Sequence, residues 1–106
     1  MPYYCLDDVR TAAKNDQIEY RGRKVQRDIT NLGYERKDVL ACLISLTESN
    51  FYKTYPRNDS DDIDDAYRID YPNPSSNNGE LDSLYIKFCL INNHLMIDLA
   101  SFHLNS

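Results

Sequence analysis

The sequence predicts an α+β domain in which N-terminal helices pack on one face of a small antiparallel β-sheet. Up to residue 46, apolar residues recur at intervals of three and four; from Tyr67 onward they alternate with polar ones. The two strongest strand patterns, residues 84–91 and 94–102, are separated only by Asn92 and Asn93. Asparagine tolerates the positive backbone angles of a tight turn, so these strands form a hairpin. At 106 residues the chain suits one domain, spanning 1–106.

Taken in order, Leu6, Val9, Ala12 and Ala13 mark a first helix, with Asp7 and Asp8 at its positive end and a stop near Asn15 and Asp16. Residues 17–20 are an edge strand or an extended link. Val25, Ile29 and Leu32 mark a second helix, and Gly33 suits the left-handed residue beyond it. Arg21, Arg23, Lys24 and Arg27 crowd its start, either as a solvated face or as a patch for RNA phosphates or an acidic partner. Residues 38–46 are apolar almost all round, which calls for burial on most sides and makes this helix the packing centre. Thr47 and Ser49 then restart a short turn carrying Phe51, Tyr52 and Lys53. Residues 54–65 form an acidic loop; Tyr67, Ile69 and Tyr71 alternate as a strand that ends at Pro72.

Charge narrows the function. The formal net charge is −5, yet residues 1–57 carry ten Lys/Arg against eight Asp/Glu, and residues 58–106 carry two against nine. Non-specific nucleic-acid affinity comes from cations that neutralise phosphates, so any such role here rests on a local basic pocket. No apolar run approaches a membrane span and no signal-peptide pattern opens the sequence, so the chain is expected in the cytoplasm, away from any membrane. Cys5, Cys42 and Cys89 form no Cys-x-x-Cys pair and are expected to be free thiols. Five aspartates between Asp59 and Asp65 invite a calcium site, but the stretch lacks the glycine and closing glutamate of an EF-hand loop, which favours a solvated loop.

A two-residue turn sets the hairpin register. With Ile91 opposite His94, Leu90 meets Leu95, Phe88 meets Ile97 and Ile86 meets Leu99 on the core side. The other face then pairs Cys89 with Met96, Lys87 with Asp98 and Tyr85 with Ala100. Tyr85 and Lys87 point the same way on the more polar face. Lys87 is expected to form a cross-strand ion pair with Asp98 or to serve a site directly.

Two blocks of residues resemble a known family. One is Leu32-Gly33 followed by Leu46-Thr-Glu-Ser-Asn-Phe-Tyr-Lys53; the other is Ala66-Tyr-Arg68, then Gly79 and Leu84-Tyr-Ile-Lys87 before the hairpin. In order and spacing, over residues 6–100, they resemble the motility quorum-sensing regulator (MqsR) toxins, small bacterial endoribonucleases with a RelE-like fold. The resemblance implies a metal-independent enzyme without a cofactor that cuts mRNA and is neutralised by a cognate antitoxin. It places the family's lysine on Lys53 and the tyrosine of its Tyr-x-Lys strand on Tyr85. Where the family has a glutamine, three residues before its Tyr-Arg pair, stands Asp64. The lysine of the family's last strand falls, in the register above, on Ala100, with His103 nearby.

Metal-free RNA cleavage uses the substrate's 2'-hydroxyl as nucleophile, so the protein must accept a proton, stabilise charge on phosphorus and protonate the leaving oxygen. Lys53 and Arg68 suit the charge, Tyr85 a phosphate oxygen or proton transfer, and Asp64 the base. Lys87, Tyr52 and Tyr67 are candidate RNA contacts, and Tyr55 and Tyr71 are further rings on which bases can stack. His94 and His103 are expected to be exposed bystanders. Because Asp64 and Ala100 depart from the family, the alternative is a catalytically weakened or inactive binding module, an antitoxin-binding or regulatory partner on the same scaffold.

Overall fold

A computed structural model describes residues 1–56 and 62–105. The elements run α1 (Leu6–Lys14), β1 (Ile18–Tyr20), α2 (Arg23–Leu32), α3 (Arg36–Ser45), a 3₁₀ turn (Glu48–Asn50), β2 (Phe51–Pro56), β3 (Ile63–Pro72), β4 (Leu81–Ile91) and β5 (Met96–Leu104). The strands form one sheet in the order β1-β5-β4-β3-β2. Four strands are antiparallel neighbours, as expected, while β1 joins β5 in parallel, so the sheet is mixed.

The helices lie against one side of this sheet. Leu6, Val9, Ala12 and Ala13 bury one stripe of α1, and α1 packs on α3. Helix α2 ends at Gly33, whose φ of 83° is left-handed and where an added Cβ would stand 2.9 Å from Ser75 Oγ. At the start of α3, Asp38 Oδ2 accepts from the Glu35 N–H at 2.8 Å, a capping contact. Val39, Cys42, Leu43 and Leu46 are fully buried, but Ala41 and Ser45 face solvent. The helix is therefore covered along one broad face rather than on most sides.

Strand β2 differs from expectation. Phe51, Tyr52 and Lys53 lie in a strand, not in a turn, and the stretch expected as a loop supplies Thr54–Pro56 to β2 and Ile63–Asp65 to β3. A bulge between Phe51 and Lys53 breaks the alternation that would otherwise have marked this strand. Asp64 and Asp65 belong to β3, so two of the five aspartates proposed for calcium are strand residues; residues 57–61 lie outside the described residues. Among those described, no group of three or more His, Cys, Asp or Glu side chains could hold a metal ion. No helix among them is long and apolar enough to cross a membrane. Cys42 and Cys89 are buried and Cys5 is exposed, and among the described residues none of the three is in a disulfide.

Asp65 has no exposure at all, and its burial has a visible compensation. It accepts from the N–H groups of Tyr3 and Tyr4 at 3.1 and 2.8 Å and from Thr54 Oγ1 at 2.6 Å. One carboxylate thus ties the N-terminal segment and β2 to β3.

The hairpin register corrects the simple turn. Four residues, 92–95, connect the strands, with Asn92, Asn93 and His94 all left-handed at φ of 54°, 60° and 65°. Ile91 therefore pairs with Met96, Leu90 with Ile97, Cys89 with Asp98 and Phe88 with Leu99. A two-residue shift preserves alternation, so Phe88 and Leu90 still face the core. A second irregularity follows: Ala100 is the extra residue of a bulge, after which Lys87 pairs with Ser101, Ile86 with Phe102 and Tyr85 with His103.

Candidate functional site

The helix-free face of the sheet can be followed strand by strand, because residues directly opposite one another share a face. One row runs Lys53, Ala66, Lys87, Ser101; the next towards the hairpin turn contains Tyr55, Asp64, Cys89, Asp98; on the other side lie Arg68, Tyr85 and His103. Lys53, Arg68 and Tyr85, proposed from sequence, are brought onto this face together with Lys87 and Tyr52.

Tyr55 sits among them. Its ring lies 4.9 Å from Lys53 Nζ and 5.6 Å from Lys87 Nζ, so one aromatic ring gathers both ammonium groups. It also lies close enough to Tyr85 to act on that phenol, and so stands between Lys53 and Tyr85. Burial, then the neighbouring phenols Tyr55 and Tyr52, push the Tyr85 phenol up to about 12 against a smaller opposing pull from Arg68. Tyr85 is thus a protonated donor through the neutral range. Arg68 stacks on Tyr52, with its guanidinium carbon 3.5 Å from the ring centroid.

Asp64 is placed differently from its expected role as a base. Its two carboxylate oxygens accept from Arg21 Nη1 and Nη2, both at 2.9 Å, while Arg21 Nε donates to Asp98 Oδ2 at 2.9 Å and Nη2 lies 3.2 Å from Cys89 Sγ. Arg21, at the end of β1, reaches over three strands to do this. The Asp64 hydrogen bonds, followed by those to Asp98 and against the cost of burial, raise the Arg21 pKa, so the guanidinium is firmly charged. A carboxylate engaged on both oxygens by a guanidinium is a poor proton acceptor. Asp98, in turn, is Arg21's partner and not that of Lys87.

Tyr67 is also corrected. It points to the helix side with no exposure, stacked on Phe88 at 5.5 Å and edge-on to Phe51 at 5.6 Å. Its ring belongs to the core and is closed to a base. Tyr71 is half-buried on the same side, near Tyr34. His94 lies in the turn, edge-on to the Tyr4 ring at 5.4 Å.

Sequence reasoning missed two residues of this face as partners. Arg21 was one of four basic residues at a helix start, and nothing local distinguishes it; the signal lies 43 positions away in Asp64. His103 is expected from sequence to be an exposed bystander, and a two-residue turn puts Ala100 across from Tyr85. In the structure the imidazole stacks on the Tyr85 ring, with centroids 5.3 Å apart. Strand β5 itself delivers it there.

The result is a helix-backed sheet whose open face joins lysine, arginine and tyrosine side chains, a class of surface suited to an anionic ligand with stackable rings. The chain belongs to the family described as motility quorum-sensing regulator, toxin of MqsA, whose model matches residues 1–103. It is therefore a member of a toxin family defined with an antitoxin partner. Comparison with curated proteins finds no match.

Proposed function

We propose that this toxin is a metal-independent endoribonuclease that cleaves messenger RNA through attack of the substrate's own 2'-hydroxyl on the adjacent phosphorus. The sorting of charge on the open face carries the reading. Asp64 and Asp98 are both taken up by Arg21, whereas among the described residues Lys53, Arg68 and Lys87 have no carboxylate within ion-pair distance. A face with a net acidic half around it thus keeps three cations for phosphate.

Lys53, Lys87 and Arg68 stabilise the charge that grows on the phosphoryl oxygens, a task that preorganised cations perform without reorganisation at the moment of reaction. Tyr85 donates to an oxygen of the same group. Tyr52, exposed at 43 % and already stacked on Arg68, offers a ring for a flanking base. The new O2'–phosphorus bond displaces the 5'-oxygen, leaving a 2',3'-cyclic phosphate on one fragment and a 5'-hydroxyl on the other.

Two contacts bear on the departures behind the inactive-module reading and support activity instead: Asp64 is paired with Arg21, which it shares with Asp98, and the residue across from Tyr85 is His103 rather than Ala100. The test is cleavage of single-stranded RNA by the purified protein in EDTA. Lys53→Ala and Tyr85→Phe should each lower kcat by about 10²- to 10³-fold, the usual cost of one transition-state donor. RNA left intact at every protein concentration sinks the proposal. In cells, growth arrest on expression that disappears with Lys53→Ala counts against the binding-module reading, and coexpressed antitoxin should relieve it.

A further inference from the structure

We infer that His103 is the general base of this site, the group that takes the proton from the attacking 2'-hydroxyl; this rests on the nuclease reading above. The cleavage needs a proton acceptor, and the open face supplies few. Tyr85 is held protonated, Asp64 and Asp98 are engaged by Arg21, and Lys53, Lys87 and Arg68 are cationic side-chain types. Histidine is the side chain that exchanges protons near neutrality, and His103 is the histidine on this face.

The geometry prepares it for that task. His103 Nδ1 lies 2.8 Å from the Leu104 carbonyl oxygen. A carbonyl only accepts, so the hydrogen sits on Nδ1 and the lone pair is left on Nε2. The ring is held against Tyr85 at 5.3 Å and an interplanar angle of 28°, which puts an acceptor and a protonated phenol side by side. Among the described residues, Tyr85 from β4 stacks on it, and Asp28 from α2, paired with Lys24 at 2.8 Å, is near enough to feel its charge.

The step balances within this pair. Nε2 takes the 2'-hydroxyl proton as O2' bonds to phosphorus; the P–O5' bond breaks with its electron pair on O5', which takes the Tyr85 phenolic proton. The imidazolium then returns a proton to solvent and the phenolate recovers one, so there is no net change.

The test measures kcat and KM against pH on a short single-stranded RNA for the wild type, His103→Gln and His103→Ala. A general base must be unprotonated to act, so the wild-type kcat profile should carry an acid limb that depends on His103. His103→Gln should lose about 10²- to 10³-fold in kcat with KM little changed and no acid limb, and added imidazole should restore activity to His103→Ala. A structural role would give neither the lost limb nor the rescue. Wild-type cleavage with His103→Gln matching its kcat, or keeping the acid limb, overturns this inference alone. A wild type that leaves RNA intact overturns the nuclease reading and this one together.

Discussion

Two buried acids in adjacent positions of β3 illustrate how little residue type settles by itself. Asp64 faces the open side and is answered by Arg21; Asp65 faces the helices and is answered by two main-chain N–H groups and a hydroxyl. Removing either answer leaves a desolvated charge, and such losses cost about 3–5 kcal/mol for a buried pair, less where water reaches it. Arg21→Ala should therefore destabilise the fold by about 2–4 kcal/mol in urea unfolding, with Arg21's own partial exposure setting the lower end. The same variant should weaken RNA binding, because Asp64 then presents uncompensated charge beside Tyr55 and its two lysines; adding Asp64→Asn should recover binding. Tyr67 gives the opposite sign. Its buried hydroxyl has no hydrogen-bond partner among the described residues, so Tyr67→Phe should match or exceed wild-type stability, by about 1 kcal/mol, and leave RNA cleavage unchanged.

At the scale of elements, β2 carries Lys53 and Tyr55 of the candidate site at an edge of the sheet. It is an edge strand with a bulge, and its core-side Thr54 is held through Asp65. Asp65→Ala should cost about 2–3 kcal/mol and, before global unfolding, raise hydrogen exchange in β2 and in residues 3 and 4. Lys53 and Tyr55 would lose their fixed positions, so RNA cleavage should fall although neither residue is altered. The α-helices need no such tether. Their stripes of Leu6, Val9, Val25, Ile29, Val39 and Leu43 bury against one sheet face.

For the whole molecule, tyrosine sets the response to alkali. Nine tyrosines are present, and burial first of all pushes Tyr4 and Tyr85 up to about 12 and raises Tyr34 and Tyr67 as well. In the unfolded chain each titrates near 10. Above that value the unfolded state loses protons that the native state retains, so this contribution is intact below about pH 10 and disappears as pH rises through the folded values. Absorbance of phenolate should therefore lag the free-tyrosine curve, then rise together with loss of circular dichroism; a full tyrosine titration near pH 10 in a still-folded protein would contradict it.

Sequence by itself determined the helical stripes, the alternation of β3, β4 and β5, the side of the sheet that Tyr85 and Lys87 face, and the family blocks around Lys53 and Arg68. These are local properties, set by a period of 3.6 or 2 and by side-chain type. Only the tertiary structure decided which residues meet across strands. The four-residue turn, the bulge at Ala100 and the bulge at Tyr52 each move pairings while leaving local patterns intact, and so exchanged Ala100 for His103 and Asp98 for Ser101 opposite Tyr85 and Lys87. Likewise the aspartates at 64 and 65 look like loop residues until their partners arrive from distant parts of the chain. Charge compensation is a long-range contact, and no window of sequence around Asp64 contains Arg21.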